Sequence, residues 1–120
     1  MARRHKWKPE QPIYRQLIDE LIGGMLAGKF AEGDMLPSVR QLAATYDVNP
    51  LTVAKAFREL SRENLIETVR GEGVQVRRGV VAGLRRRERT RFLAQEWPAL
   101  RTRLERMAID PLLLLTGALE

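Results

Sequence analysis

The side chains that ordinarily carry catalytic or metal chemistry are scarce in this sequence. It has no cysteine and a single histidine, His5. That removes thiolate nucleophiles, disulfides and zinc ribbons, and leaves no His/Cys set with metal-ligand spacing. Asp19 and Glu20 are adjacent rather than facing, and Glu88 and Glu96 lie among arginines. No base–nucleophile set is visible, so neither an enzyme nor a cofactor nor a resident metal is expected. What the chain holds in excess is positive charge: 21 Lys and Arg against 15 Asp and Glu, a formal +6 and a pI near 10.5. Guanidinium and ammonium groups hold phosphate through charge-assisted hydrogen bonds, so a polyanion is the partner this balance points to.

A chain of 120 residues has room for one domain and a short appendage, and 44% hydrophobic residues suffice for a core. The longest leucine run, Leu112 to Leu115, is far short of a membrane span, and no apolar stretch follows the charged amino terminus. Without cysteines or a leader, a reducing cytoplasm is the expected location. Residues 1–10 hold Arg3, Arg4, Lys6 and Lys8 around Trp7 without any period, and read as a basic arm. From Ile13 the apolar positions Ile13, Leu17, Ile18, Leu21, Ile22, Met25 and Leu26 mark one face of a helix that Gly28 ends, with Gly23-Gly24 weakening its last turn. Ser38 and Gln41 form a capping box for a short helix with Val39, Leu42, Ala43 and Tyr46 inward. After a turn at Asp47-Val48-Asn49, Asn49 caps a third helix with Pro50 at its first position and Val48 and Val53 as a hydrophobic staple. Val53, Ala56, Phe57 and Leu60 form its buried face, and Asn64 is its stop.

Strands are expected over 65–70 and 74–77, joined at Gly71-Glu72-Gly73 as a β-hairpin. Residues 77–83 read as a linker, followed from Leu84 by a basic helix with arginines at 85, 86, 87, 89 and 91. Further on, Leu93, Trp97, Leu100, Leu104 and Met107 repeat at alternating spacings of 4 and 3, an a/d stripe that Pro98 should kink or split. Asp110-Pro111 starts a last short helix. The expected fold is mainly α with a small β-hairpin. Residues 11–78 form a winged helix-turn-helix, its helix-turn-helix about 39–58, and residues 79–120 form a helical dimerisation tail.

That order of elements has a direct physical sense. An α-helix fits the major groove of B-DNA, and its first turns reach base edges. The preceding helix presents its amino terminus to a phosphate, and glycine at a hairpin tip lets backbone approach backbone. The residues themselves resemble a family. Pro12-Ile13-Tyr14, the run Gly33-Asp34-Met35-Leu36-Pro37-Ser38-Val39-Arg40-Gln41-Leu42-Ala43 and the run Val48-Asn49-Pro50-Leu51-Thr52-Val53-Ala54-Lys55-Ala56 are similar to the DNA-binding domain of the GntR regulators. Leu60, Leu65-Ile66-Glu67 and Gly71-Glu72-Gly73 continue the match. The Asn-Pro-x-Thr-Val-x-Lys-Ala form resembles the YtrA-like subfamily, bacterial dimeric repressors with a short helical tail in place of a sensor domain. Glu88-Arg89, Phe92-Leu93 and Trp97-Pro98 resemble that tail, more weakly.

The resemblance implies that Arg40, with Ser38 at the same helix start, contacts DNA. It assigns Pro50, Leu51, Thr52 and Lys55 to the outward face of the recognition helix and Gly71 and Gly73 to the wing tip. Arg58 and Arg62, further along that helix, read as backbone-positioning or solvated rather than specific, and Arg70 flanks the wing. Many relatives have arginine where Pro50 and Ala54 stand here, a polar residue in place of Leu51, and often a basic one in place of Glu72. Direct readout would then rest on Thr52, Lys55 and contact of Leu51 with a thymine methyl. Arg70 has two readings, a phosphate contact or a cross-strand salt bridge. The arm is either a minor-groove follower or a solubilising tail, and the 85–91 run either a non-specific DNA patch or a solvated helix face. A tail of 42 residues is too short to bury its own stripe, so a second copy of the chain is the expected cover for Leu93, Trp97, Leu100, Leu104 and Met107. The function expected is a sequence-specific dimeric repressor on a palindromic operator, with double-stranded DNA and itself as partners and no membrane. The alternative is a winged-helix protein-interaction module, which has no need of a basic outward face or a glycine tip. No room is expected for an effector pocket of about 300 Å³ or more, and any effector is left unnamed.

Overall fold

The computed structural model describes residues 5–117, so Arg3 and Arg4 of the basic arm lie outside the described residues. The chain forms two compact units that divide between Gly83 and Leu84.

In the first unit, helix α1 spans Ile13–Ala27 and buries Leu17, Ile18, Leu21, Ile22 and Met25, the i, i+4 stripe of its sequence. It stops at Gly28, whose φ of 85° is left-handed and open to glycine. The double glycine does not fray this last turn. The Phe30 ring folds back against Gly24, where a Cβ would lie 2.6 Å from its edge, and the Phe30 N–H donates to the Gly24 carbonyl. Glycine is thus present for close packing, which compensates its poor helix propensity.

Helix α2 (Val39–Tyr46) opens with the capping box complete: Gln41 N–H donates to Ser38 Oγ at 3.1 Å and Ser38 N–H to Gln41 Oε1 at 2.8 Å. Helix α3 (Pro50–Arg62) is capped by Asn49, whose Oδ1 accepts the Leu51 N–H at 2.8 Å, with Pro50 in the first position where a missing N–H costs nothing. Its inner face, Val53, Ala56, Phe57 and Leu60, is buried as the spacing predicts. Helix α3 packs on α1, α2 and the hairpin, so it is the element around which the core assembles. Each fully buried aliphatic side chain there stabilises the fold by about 1.5–3 kcal/mol.

Strands β1 (Ile66–Val69) and β2 (Gly73–Val76) pair antiparallel with Ile66 opposite Val76 and Val69 opposite Gly73. Strand β1 is shorter than the 65–70 expected, with Leu65 N–H turned back to the Leu60 carbonyl, while β2 keeps the expected four residues shifted by one. Sequence patterning does not foresee that β2 is bonded on both edges. Gly33 N–H donates to the Val76 carbonyl, Val76 N–H to Asp34 and Leu36 N–H to Val74, with Met35 bridging Gln75.

Helix α4 spans Val81–Arg91, so the expected 77–83 linker is shorter and the helix starts before Leu84. The reason lies 49 positions back in the chain: Glu32 Oε2 accepts the Val81 N–H at 2.9 Å and caps the helix from a distance. In the second unit the proline does not interrupt the helical run. Residues Phe92–Glu96 open into one π turn, in which the Trp97 N–H reaches back to the Phe92 carbonyl, and α5 (Trp97–Arg106) continues at once. The wider turn accommodates the ring and missing donor of Pro98. Helix α6 (Pro111–Thr116) is closed by Asp110 at its start and left-handed Gly117 at its end.

Candidate nucleic-acid interface

The outward face of the first unit is built from three pieces of local sequence. At the first, Arg40 stands second in α2, exposed, with no carboxylate partner among the described residues. Ser38 Oγ is occupied as an acceptor by the capping bond, which leaves its hydroxyl hydrogen to donate outward. An uncommitted guanidinium beside free helix N–H groups is suited to an anion.

The second piece is the outer face of α3. Leu51, Lys55, Arg58 and Arg62 follow one another at helical spacing on the side away from the buried stripe. Leu51 is 75% exposed, an apolar side chain that nothing within the chain covers. Pro50 beside it is exposed and Thr52 half-buried. Lys55 is exposed but not loose, because its ammonium sits 4.0 Å from the centroid of the Tyr14 ring in α1. Arg58 forms no ion pair among the described residues, whereas Arg62 is engaged by Glu59 at 3.0 Å.

The hairpin tip is the third piece. Gly71 and Gly73 take φ values of 80° and 128°, and space around both is open, so glycine is required by the backbone rather than by crowding. The cross-strand ion pair of the hairpin is made by Arg77, whose Nε lies 3.8 Å from Glu67 Oε2, while Gln75 donates to Glu67 Oε1 at 2.9 Å. Arg70 is left exposed without an ion pair among the described residues.

Three features carry no local sequence signal. Residues 5–8 of the arm are tied to the unit: Gln16 accepts the Lys8 N–H at 2.7 Å and donates to the Lys8 carbonyl at 2.8 Å. Trp7, without a role on sequence grounds, stacks at 4.1 Å from His5 and 5.9 Å from Tyr46, and His5 Nε2 lies 3.5 Å from Glu20 Oε1. Burial pushes the Tyr46 hydroxyl above its ordinary pKa, with Glu20 adding to the effect. Glu32 is the second feature. The backbone N–H groups of Gly79 and Val81 hold its carboxyl below the usual range against a desolvation that raises it, with the Arg78 guanidinium and the Val80 N–H adding lesser pulls downward. The third is a concavity at the surface. An open hollow of about 450 Å³ lies over α1, lined by Asp19, Glu20, Lys29, Phe30 and Tyr46 among others.

In the second unit the five residues of the a/d stripe divide. Leu93, Leu100 and Met107 are exposed and Trp97 half-buried, but Leu104 is buried within the single chain. The leucines of α6 are exposed as well, from 40% at Leu113 to 85% at Leu115. Within the 85–91 run Glu88 bonds Arg91 at 2.7 Å and lies 3.5 Å from Arg87, so part of that charge is neutralised locally. Among the described residues no His, Cys, Asp and Glu cluster could hold a metal, and no helix is long and apolar enough to cross a membrane.

The family model for bacterial regulatory proteins of the gntR family matches residues 13–76, from the first residue of α1 to the last of β2. The HTH-type transcriptional repressor YtrA of Bacillus subtilis (strain 168) is 49% identical over 65 residues, 54% of this chain and 50% of that protein. The chain thus spans about half the length of the curated relatives it matches. Over the whole fold it is similar to a GntR family transcriptional regulator from Listeria monocytogenes, with a TM-score of 0.69, 25% identity, and 95% of this chain and 100% of that one covered. It is also similar to AraR(DBD) in complex with operator ORX1, with a TM-score of 0.57, 25% identity and coverage of 62% and 95%. These relatives are transcription regulators, not enzymes.

Proposed function

Because the chain belongs to the GntR family of bacterial regulatory proteins, transcription regulators that bind DNA, we propose that it is a sequence-specific dimeric repressor of a palindromic operator, acting in the cytoplasm. The observation that carries this is the exposed face of α3. Leu51, Lys55 and Arg58 lie outward at helical spacing, and the exposed Arg40 and the glycine hairpin tip belong to the same unit. A helix with this face laid in the major groove puts Leu51 and Thr52, with Pro50, at base edges. Arg40, Ser38, Arg70 and the Gly71–Gly73 tip hold flanking phosphates and fix the register. Occupying a promoter in this way blocks polymerase.

The exposed residues Leu93, Leu100 and Met107 and the half-buried Trp97 support a second copy as the cover of the tail. Leu104 is already buried within the chain. A two-fold pair of subunits requires half-sites about one helical turn, roughly 34–36 Å, apart. If the pair neutralises about eight phosphates, log K against log salt falls with a slope near −7.

The test is selection of genomic fragments by the purified protein at physiological salt. A palindromic consensus is the expected result. Retention without a consensus would reduce the protein to a non-specific basic DNA binder, and no retention would favour a winged helix that contacts protein instead.

A further inference from the structure

The Pro12-Ile13-Tyr14 start of α1 resembles the family but is given no task by the DNA-binding reading. Its place in the structure suggests one. The Tyr14 ring lies 4.0 Å below the Lys55 ammonium, and the Arg15 guanidinium carbon is 5.5 Å from the same ring. No carboxylate engages Lys55 or Arg15 among the described residues, so the ring is the partner that holds these cations. Tyr14 itself is half-buried in the first turn of a helix that packs against α3. Its ring is therefore a fixed surface.

We propose that Tyr14 is a positioning residue for the DNA contact made by Lys55: its ring presets the ammonium, and thereby brings the first turn of α1 into the recognition apparatus. The inference rests on the reading of Lys55 as a DNA contact. A free lysine stem is among the most costly side chains to immobilise, and a ring under its head group restricts it before DNA arrives. A cation over a ring face keeps its outward N–H groups available, so holding and contacting do not compete. The device also suits this sequence in particular. With proline and alanine at 50 and 54, no arginine fork is present in the first turn of α3, and Lys55 is the first cation along that helix. A point charge on a flexible stem discriminates poorly unless something fixes its direction.

The experiment is an anisotropy titration of the selected operator fragment with the native sequence and with Tyr14→Leu, Tyr14→Phe, Lys55→Ala and Tyr14→Leu/Lys55→Ala. Tyr14→Leu is expected to weaken binding about two- to five-fold, the size of an exposed cation–π contact. Tyr14→Phe keeps the ring and binds like the native protein. In the Lys55→Ala background Tyr14→Leu has no further effect. An equal loss in both backgrounds, or no loss in either, overturns the proposal. So does full affinity of Lys55→Ala, which removes Lys55 from the site while a consensus operator would leave the regulator reading intact. One measurement needs no variant: the Lys55 ε-methylene protons of the free protein should show an upfield ring-current shift, and their appearance at random-coil positions also refutes the placement.

Discussion

Gly23 and Gly24 are neighbours in one helix, yet alanine at the two positions should change stability in opposite directions. Both substitutions remove backbone freedom from the unfolded chain and raise helix propensity, which favours the folded state by about 0.8–1.0 kcal/mol each. At Gly23 nothing lies within 4 Å of the added Cβ, so that gain is kept whole. At Gly24 the Cβ falls 2.6 Å from two carbons of the Phe30 ring, which is only 8% exposed and has little room to retreat. Overpacking of this kind costs about 1–3 kcal/mol. The propensity gain is shared, so the difference between the two variants isolates the clash: Gly23→Ala stabilises by just under 1 kcal/mol, and Gly24→Ala destabilises by about 1 kcal/mol. Each kcal/mol moves the midpoint of a unit this size by about 4–8 °C. Urea unfolding of the three proteins, followed by circular dichroism, reads the difference directly. Equal stability of the two variants would show that the Phe30 ring does not rest on the helix backbone, and the account of why this helix survives its double glycine would fall with it.

Arg40→Ala should weaken operator binding about tenfold or more with an unchanged circular dichroism spectrum, and wild-type affinity in a folded variant would remove Arg40 from the site. Replacing thymine by uracil opposite Leu51 removes one methyl group and should lower affinity for the native protein but not for Leu51→Ala; equal loss in both places the methyl contact elsewhere. Because the Glu32 carboxyl is held below its unfolded pKa, its contribution is present above the unfolded value and lost as pH falls through the folded one. The stability gap between native and Glu32→Gln should accordingly be present at neutral pH and close under acid conditions, and a gap independent of pH would count against the cap. Leu100→Glu, at an exposed stripe position, should give monomers by light scattering together with reduced operator affinity. An unaltered dimer mass would move the interface away from that face.

The parts of the fold that sequence made legible are those whose causes are local. Ser38 with Gln41 and Asn49 with Pro50 predict their helix starts because each cap is satisfied within three residues. The buried face of α3 follows from its period alone. What sequence did not show depends on residues distant in the chain. The Glu32 cap moves the start of α4 to Val81, and nothing near Val81 announces it. The Gly33–Leu36 segment pairs with β2 over too few residues to show alternation. Trp7 gains a packing role only when Tyr46 is brought to it, and the neighbouring Lys8 only when Gln16 is. At the candidate interface the motif supplied the positions, while the difference between Arg70 and Arg77 is set by strand register. The 4-and-3 spacing alone does not tell that Leu104, unlike Leu93, Leu100 and Met107, is buried within the chain.

The segment from Glu32 to Leu36 acts as a mechanical coupling as well as a turn. At one end its carboxylate grips the Val81 amide, where the chain leaves the first unit; over the next four residues its backbone is stitched to β2 of the wing. The chain that leaves at Val81 comes directly from β2 through residues 77–80, so the strip holds both ends of that short passage: β2 by backbone pairing and the Val81 amide by the Glu32 carboxylate. The wing and the root of α4 thus share one anchor in the 32–36 strip.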